Sequence, residues 1–375
     1  MSINLKGKEH HIFWNGLANF CITPKKTEAV LMYFETPKKA LCASAGEWSE
    51  FFLLTERFGF TEGEKARIAK VCNMNFEKEY ESLQEKEIFF VTQEDEEYPE
   101  QLRNRFEAPR FFYYKGRLPV NEKTIAIVGA RNCSFYGSKM AETIARELAE
   151  QGIGVVSGLA YGADKAAHEG ALKGKGRTYG VLGCGIDICY PKSHRMLYNH
   201  ILMNGGGIIS EYPPGVQPLP CFFPQRNRII AGMSDGILVT EARKKSGSLI
   251  TVAFGLEYGK TIYAVPGRVG DVLSEGCNYL LKEGAKPVTC GEDILEDLLL
   301  LSERKNKRKK KELCLTKEEK QVCGCLGLHP KHLEEVLEET GLSYDKAVTV
   351  LEHLSCLGVV KRQGQAYYSL AEKNG

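Results

Sequence analysis

Seven short apolar, β-branched runs recur along the chain, each separated from the next by a segment of helical length: Thr124–Val128, Gly154–Ser157, Thr178–Leu182, Gly207–Ser210, Gly236–Thr240, Thr261–Val265 and Lys286–Thr289. Few folds accommodate that rhythm. Strands joined through helices must pair in parallel, because each crossover returns the chain to the same end of the sheet. The intervening segments carry helical spacing, as at Met140, Ile144 and Leu148 before Gly152, or Leu249, Ala253 and Leu256 before Gly259. A glycine at such an end lets the chain leave the helix through a left-handed conformation. The pattern predicts an α/β fold with a doubly wound, mainly parallel sheet and a ligand crevice at the strands' carboxyl ends.

At 375 residues the chain exceeds one ordinary domain. Residues 1–75 read as a small helical module of the SAM or helix-hairpin-helix type, with Val30, Phe34 and Phe51 among its apolar groups. A charged connector and extended lead-in follow over 76–120, then the sheet domain over 121–302. Residues 303–312 are a basic linker, where seven of the eight residues from Arg304 to Lys311 are basic. Residues 313–375 read as three amphipathic helices and a hairpin around Gly364, the pattern of a winged helix. From Leu313 onward there are seven basic and nine acidic residues, so this module is expected to contact protein rather than a duplex groove.

No stretch of about 18 apolar residues runs without a charge, and neither export nor membrane insertion is expected. The thirteen cysteines are scattered and include no Cys-x-x-Cys, which argues for reduced thiols, a cytoplasmic location and no zinc ribbon.

The first strand runs into Gly129-Ala130-Arg131-Asn132-Cys133-Ser134, where a dinucleotide site needs a second glycine at the place of Arg131. A guanidinium there reaches outward and can grip a phosphate with two donors. Further turns follow on the same edge: Ser157-Gly158, Gly183-Cys184-Gly185 and Ser246-Gly247-Ser248. Helix starts at such turns present free N–H groups and a positive dipole end, so a row of them suits a polymer of phosphates. Lys192, Arg195, Arg226, Asn227 and Arg228 lie in the same loops. Gly255 to Thr261 imitates a P-loop with one residue too few, and Ser157 lacks the partners of a nucleophile. Asp164 and His168, four residues apart, read as a surface pair rather than a metal or acid–base site.

The ordered motifs Val128-Gly-Ala-Arg131, Val156-Ser-Gly-Leu-Ala160, Gly185-Ile-Asp187, Tyr190-Pro191, Phe223 to Gly232, Glu241-Ala242, Ser246 to Thr251 and Ala264-Val-Pro-Gly267 closely resemble the DNA-processing protein A (DprA/Smf) family over roughly residues 98–298. The resemblance implies a Rossmann-like domain that binds single-stranded DNA, forms a homodimer, helps load the RecA recombinase during natural transformation, and has no catalysis or cofactor. The family's DNA-contacting loop carries over to Arg131 and Ser134, and its second basic contact to Arg195 or Lys192. Tyr279, Leu280 and Leu281 are the candidate dimer patch, and Phe135, Tyr136, Tyr190 and Phe222 the candidate stacking groups. The alternative is a nucleotide-binding hydrolase of the lysine-decarboxylase-like family, whose Pro-Gly-Gly-x-Gly-Thr turn this chain lacks.

Overall fold

The computed structural model of the chain describes residues 5–103, 105, 107–298, 316–327, 330–356, 360–363 and 366–370. The chain divides into two compact units, Met1–Asp297 and Leu298–Gly375.

Six helices open the first unit: α1 (Leu5–Ala18), α2 (Pro24–Phe34), α3 (Pro37–Cys42), α4 (Ala45–Leu54), α5 (Glu62–Cys72) and α6 (Phe76–Glu85). Their starts are encoded locally. Ser44 with Glu47, and Thr61 with Glu64, form reciprocal capping boxes that satisfy N–H groups otherwise left open at a helix start. Phe20, Phe34, Trp48 and Phe51 pack ring against ring inside the module. That core continues into the sheet through Phe90, Phe111 and Tyr113, whose hydroxyl donates to Asn15 Oδ1 at 2.7 Å.

The sheet has nine strands in the order β1-β2-β6-β5-β4-β3-β7-β8-β9. These are β1 (Phe89–Thr92), β2 (Phe111–Gly116), β3 (Thr124–Val128), β4 (Gly154–Ser157), β5 (Thr178–Leu182), β6 (Gly207–Ser210), β7 (Gly236–Val239), β8 (Thr261–Ala264) and β9 (Lys286–Pro287). The strands from β3 to β9 pair in parallel, as the periodicity predicts. β1 and β2 add an antiparallel margin. The chain lead-in is therefore part of the sheet itself, and β1 arises inside the charged connector. Helices α7 (Phe135–Glu150), α8 (Ala163–Lys173), α9 (Arg195–Met203), α10 (Phe222–Gly232), α11 (Ser248–Glu257) and α12 (Glu275–Lys282) cover its faces. β3 has β4 on one side and β7 on the other, so the winding reverses there and leaves a crevice beyond the carboxyl ends of β3 and β7.

Leu280 sits in the core beneath the sheet, whereas Tyr279 is exposed and Leu281 half-buried. The candidate dimer patch thus retains mainly Tyr279 at the surface.

In the second unit, helices Lys317–Cys325, Leu333–Thr340 and Tyr344–Cys356 enclose Val322, Val336, Leu351 and Leu354. A small antiparallel sheet of Lys331–His332, Tyr367–Leu370 and Val360–Gln363 completes it. The basic run 304–311 and the turn at Gly364 lie outside the described residues. Among the described residues no helix is long and apolar enough to cross a membrane.

Candidate nucleic-acid interface

The glycine turns do lie together at the carboxyl edge of the sheet, but two of the expected backbone sockets are filled from within. At the start of α7, Ser134 caps the helix, its hydroxyl oxygen accepting the Gly137 N–H at 3.2 Å. The same hydroxyl donates to Glu241 Oε1 at 2.6 Å, and the Ser134 N–H donates to Glu241 Oε2 at 2.7 Å. Ser134 is therefore fully committed, which corrects its placement as a phosphate contact. Gly137 makes room for this carboxylate, since a Cβ there would come within 2.4 Å of Glu241 Cδ.

The turn after β4 is closed in the same way. Asp164 Oδ2 accepts N–H groups from Gly158 at 3.1 Å and Ala160 at 3.4 Å, and burial raises its pKa while Arg226 opposes the shift. Ser157 is buried and donates to the Ile127 carbonyl at 2.6 Å. Neither Ser157 nor the Gly158 N–H is free for a ligand. His168 is no surface partner of Asp164 either: it is fully buried against Thr178, its Nδ1 lying 2.6 Å from the Thr178 hydroxyl.

Arg226 and Arg228 are buried as well, because α10 is covered on both sides. Arg226 donates to the carbonyls of Gly158, at 2.6 Å, and Val181. Burial lowers its pKa, with the Asp164 carboxylate opposing. Arg228 is clasped by both oxygens of Glu211 at 2.6 Å. Burial by itself would lower its pKa, and the carboxylate raises it instead. As direct phosphate contacts both arginines are withdrawn: their guanidiniums hold the protein's own oxygens. Asn227 Nδ2 donates to the Gly247 carbonyl at 3.3 Å and so ties α10 to the next loop.

What stays available is a set of side chains. Arg131 is exposed and lies over the Phe223 ring at 5.3 Å, and Arg195 lies over Tyr198 at 5.5 Å. Lys192 is exposed beside them. Between β7 and α11, Arg243, Lys244 and Lys245 are exposed in succession, and the sequence reading passed over them. Their signal was present, three consecutive cations inside the Glu241-Ala242 to Ser246-Gly247 motif. Among the described residues none of these six has an ion-pair partner.

The crevice itself has a volume of about 550 Å³ and is lined by Gly129, Arg131, Tyr190, Phe223, Ser246 and Gly247 among others, with Ser248 at the start of α11. Ser246 and Ser248 are joined through their hydroxyls at 2.8 Å. Tyr190 of this lining is exposed, as are Phe135, Tyr136 and Tyr161, but Tyr136 lines a different cavity and donates its hydroxyl to the Pro266 carbonyl at 3.0 Å. Phe222 does not join them, being stacked on Tyr212 at 4.1 Å.

The family described as DNA recombination-mediator protein A matches residues 89–299, more than half of the chain. The chain belongs to that family. It is 45% identical over 204 residues to the DNA processing protein DprA of Streptococcus pneumoniae, covering 54% of this chain and 72% of that one. Protein Smf of Escherichia coli is 36% identical over 247 residues, 66% of each chain. The X-ray structure of DprA from Streptococcus pneumoniae superposes with a TM-score of 0.62 at 34% identity, covering 79% of this chain and 98% of that one. A structure concerned with the single-stranded DNA binding mode of DNA processing protein A from Helicobacter pylori covers 56% of this chain and 95% of that one, with a TM-score of 0.50 at 30% identity. The Rossmann-like architecture of the sheet domain is thus shared across the family.

Proposed function

We propose that this chain binds single-stranded DNA along the carboxyl edge of its central sheet and serves DNA processing in transformation and recombination. The observation that carries this reading is the set of exposed cations at Arg131, Lys192, Arg195 and Arg243 to Lys245, which among the described residues have no ion-pair partner, together with the exposed ring of Tyr190 in the same crevice as Arg131. Cations on several loops suit a flexible phosphate chain. The rings offer stacking worth roughly 1–3 kcal/mol per base, which any sequence can use. A paired duplex hides those faces. The single-stranded DNA binding named for the Helicobacter pylori relative agrees with this reading.

In this proposal the protein binds DNA without catalysing a reaction, two copies join through the sheet domain, and the strand passes to a RecA-type recombinase in the cytoplasm. Two linked cation rows raise apparent affinity beyond what one short row can reach. The terminal unit has the element order of a winged helix and takes a protein-contact role, since Lys331, Lys346 and His353 are already paired with Glu339, Glu318 and Glu319. Anisotropy titrations with a single-stranded oligonucleotide and its duplex test the reading. Preference for the single strand, with affinity weakened by Arg131→Glu in a folded protein, supports it; equal binding of both forms overturns it.

A further inference from the structure

The start of α7 follows β3, where a fold of this kind ordinarily receives the pyrophosphate of a nucleotide on backbone N–H groups. In this chain that place is taken. Glu241 enters from the end of β7, is 2% exposed, and receives both the N–H and the hydroxyl of Ser134. A carboxylate offers what a phosphate would offer there: negative charge and two oxygens facing the helix dipole. Beyond Glu241 a cavity of about 460 Å³ opens between Ser134, Tyr136, Gly267 and Arg268. Arg268 is exposed and, among the described residues, unpaired. Next to Glu241, the buried Thr240 hydroxyl has no hydrogen-bond partner.

We propose that Glu241 is a built-in anion that determines specificity, excluding free phosphate and nucleotides from the α7 start and leaving DNA to the side-chain cations. The exclusion of small anions does not depend on the single-strand reading, whereas leaving DNA to the side-chain cations rests on it. Two donors of Ser134, the helix terminus and the nearby Arg268 remain once the carboxylate is gone, so its removal creates a site for a small anion.

The test uses the full chain with Glu241→Ala, melted in phosphate, formate or chloride at one pH and ionic strength, with the parent as control. At an anion concentration about tenfold above its dissociation constant, the variant's midpoint should rise by about 3 °C while the parent's stays put. If the variant is unfolded in chloride, the same anions should restore its near-ultraviolet circular dichroism. Glu241→Gln keeps an amide oxygen in the socket and should ignore both anions. A Glu241→Ala protein indifferent to phosphate and formate overturns the proposal, as does a parent or Glu241→Gln protein that responds equally.

Discussion

Arg131 and Arg228 carry the same guanidinium within one domain, and the structure gives them opposite work. Arg131 projects over Phe223 with no carboxylate partner, whereas Arg228 is 1% exposed and held by two oxygens of Glu211. The edge of the sheet keeps charge unneutralised; the layer beneath it neutralises every charge it can. An unpaired surface cation loses little by waiting in water for a ligand. A buried one destabilises the fold unless its partner is already in place. Basic residues near glycine turns therefore divide into binders and braces according to burial, not motif.

The comparison breaks most visibly at Arg228. Arg228→Ala leaves the Glu211 carboxylate without its partner, and breaking such a buried pair costs about 3–5 kcal/mol. Urea denaturation should register that loss, while the folded fraction should bind single strands like the parent. A variant of unchanged stability and weakened binding would reverse the assignment of brace and binder.

Arg131→Glu should do the converse. Losing charge-assisted hydrogen bonds worth about 1.5–3 kcal/mol weakens binding roughly ten- to a hundredfold. The unfolding free energy from urea denaturation should stay within about 0.5 kcal/mol of the parent's, as expected for an exposed side chain. Parent-like affinity at moderate salt would remove Arg131 from the interface.

How far these roles were legible in the sequence depends on the distance of the partner along the chain. β3 to β6 could be read to the residue because buried parallel strands are continuous apolar runs. β1 escaped notice because its four residues lie among charges and are held by an antiparallel neighbour. Arg226 and Arg228 point about 200° apart on a helix, so both are buried only if α10 is covered on both sides. Nothing local announces that. Glu241 escaped for a related reason, since the carboxylate that fills the first socket comes from another strand's end, whereas Asp164 lies only six residues from Gly158 and was assigned instead to His168.

The buried layer should also be its acid-sensitive part. Burial pushes the pKa of His168 down to about 3, with His194 and Arg226 adding to the effect. An unfolded histidine takes up its proton near pH 6.5, so between about 6.5 and 3 the unfolded state binds a proton that the folded state refuses. Stability is lost as pH falls through that window, by about 1.4 kcal/mol per pH unit from this residue. Melting curves at pH 7 and pH 5 should show the slope, and His168→Gln should flatten it.

Salt dependence resolves the edge more finely. For single strands each phosphate contact contributes about 0.7 to the log–log slope of affinity against salt. Lys192→Ala and Arg195→Ala should each flatten it by about that amount, and the combined Arg243, Lys244 and Lys245 alanine substitution by about 2 if all three meet phosphates. An unchanged slope for the triple variant would confine the DNA to the Arg131 side of the crevice.

The smallest effect is expected from the terminal unit, where Lys346 resembles Arg131 in exposure and Arg228 in being paired. Lys346 lies 3.2 Å from Glu318, and the acidic helix Leu333–Thr340 presents Glu334, Glu335 and Glu338 beside the Lys331–Glu339 pair. Such a surface repels phosphate more than it attracts it. Ending the chain after Lys311 removes this unit and keeps the basic run, and single-strand affinity should change by no more than about twofold, a few tenths of a kcal/mol. Ending it after Ser302 also removes seven cations, so any further loss that comes with a flatter salt slope belongs to the run. A large loss already at Lys311 would mean that the terminal unit grips DNA through groups other than its cations, and that pairing does not separate binders from bystanders in this protein.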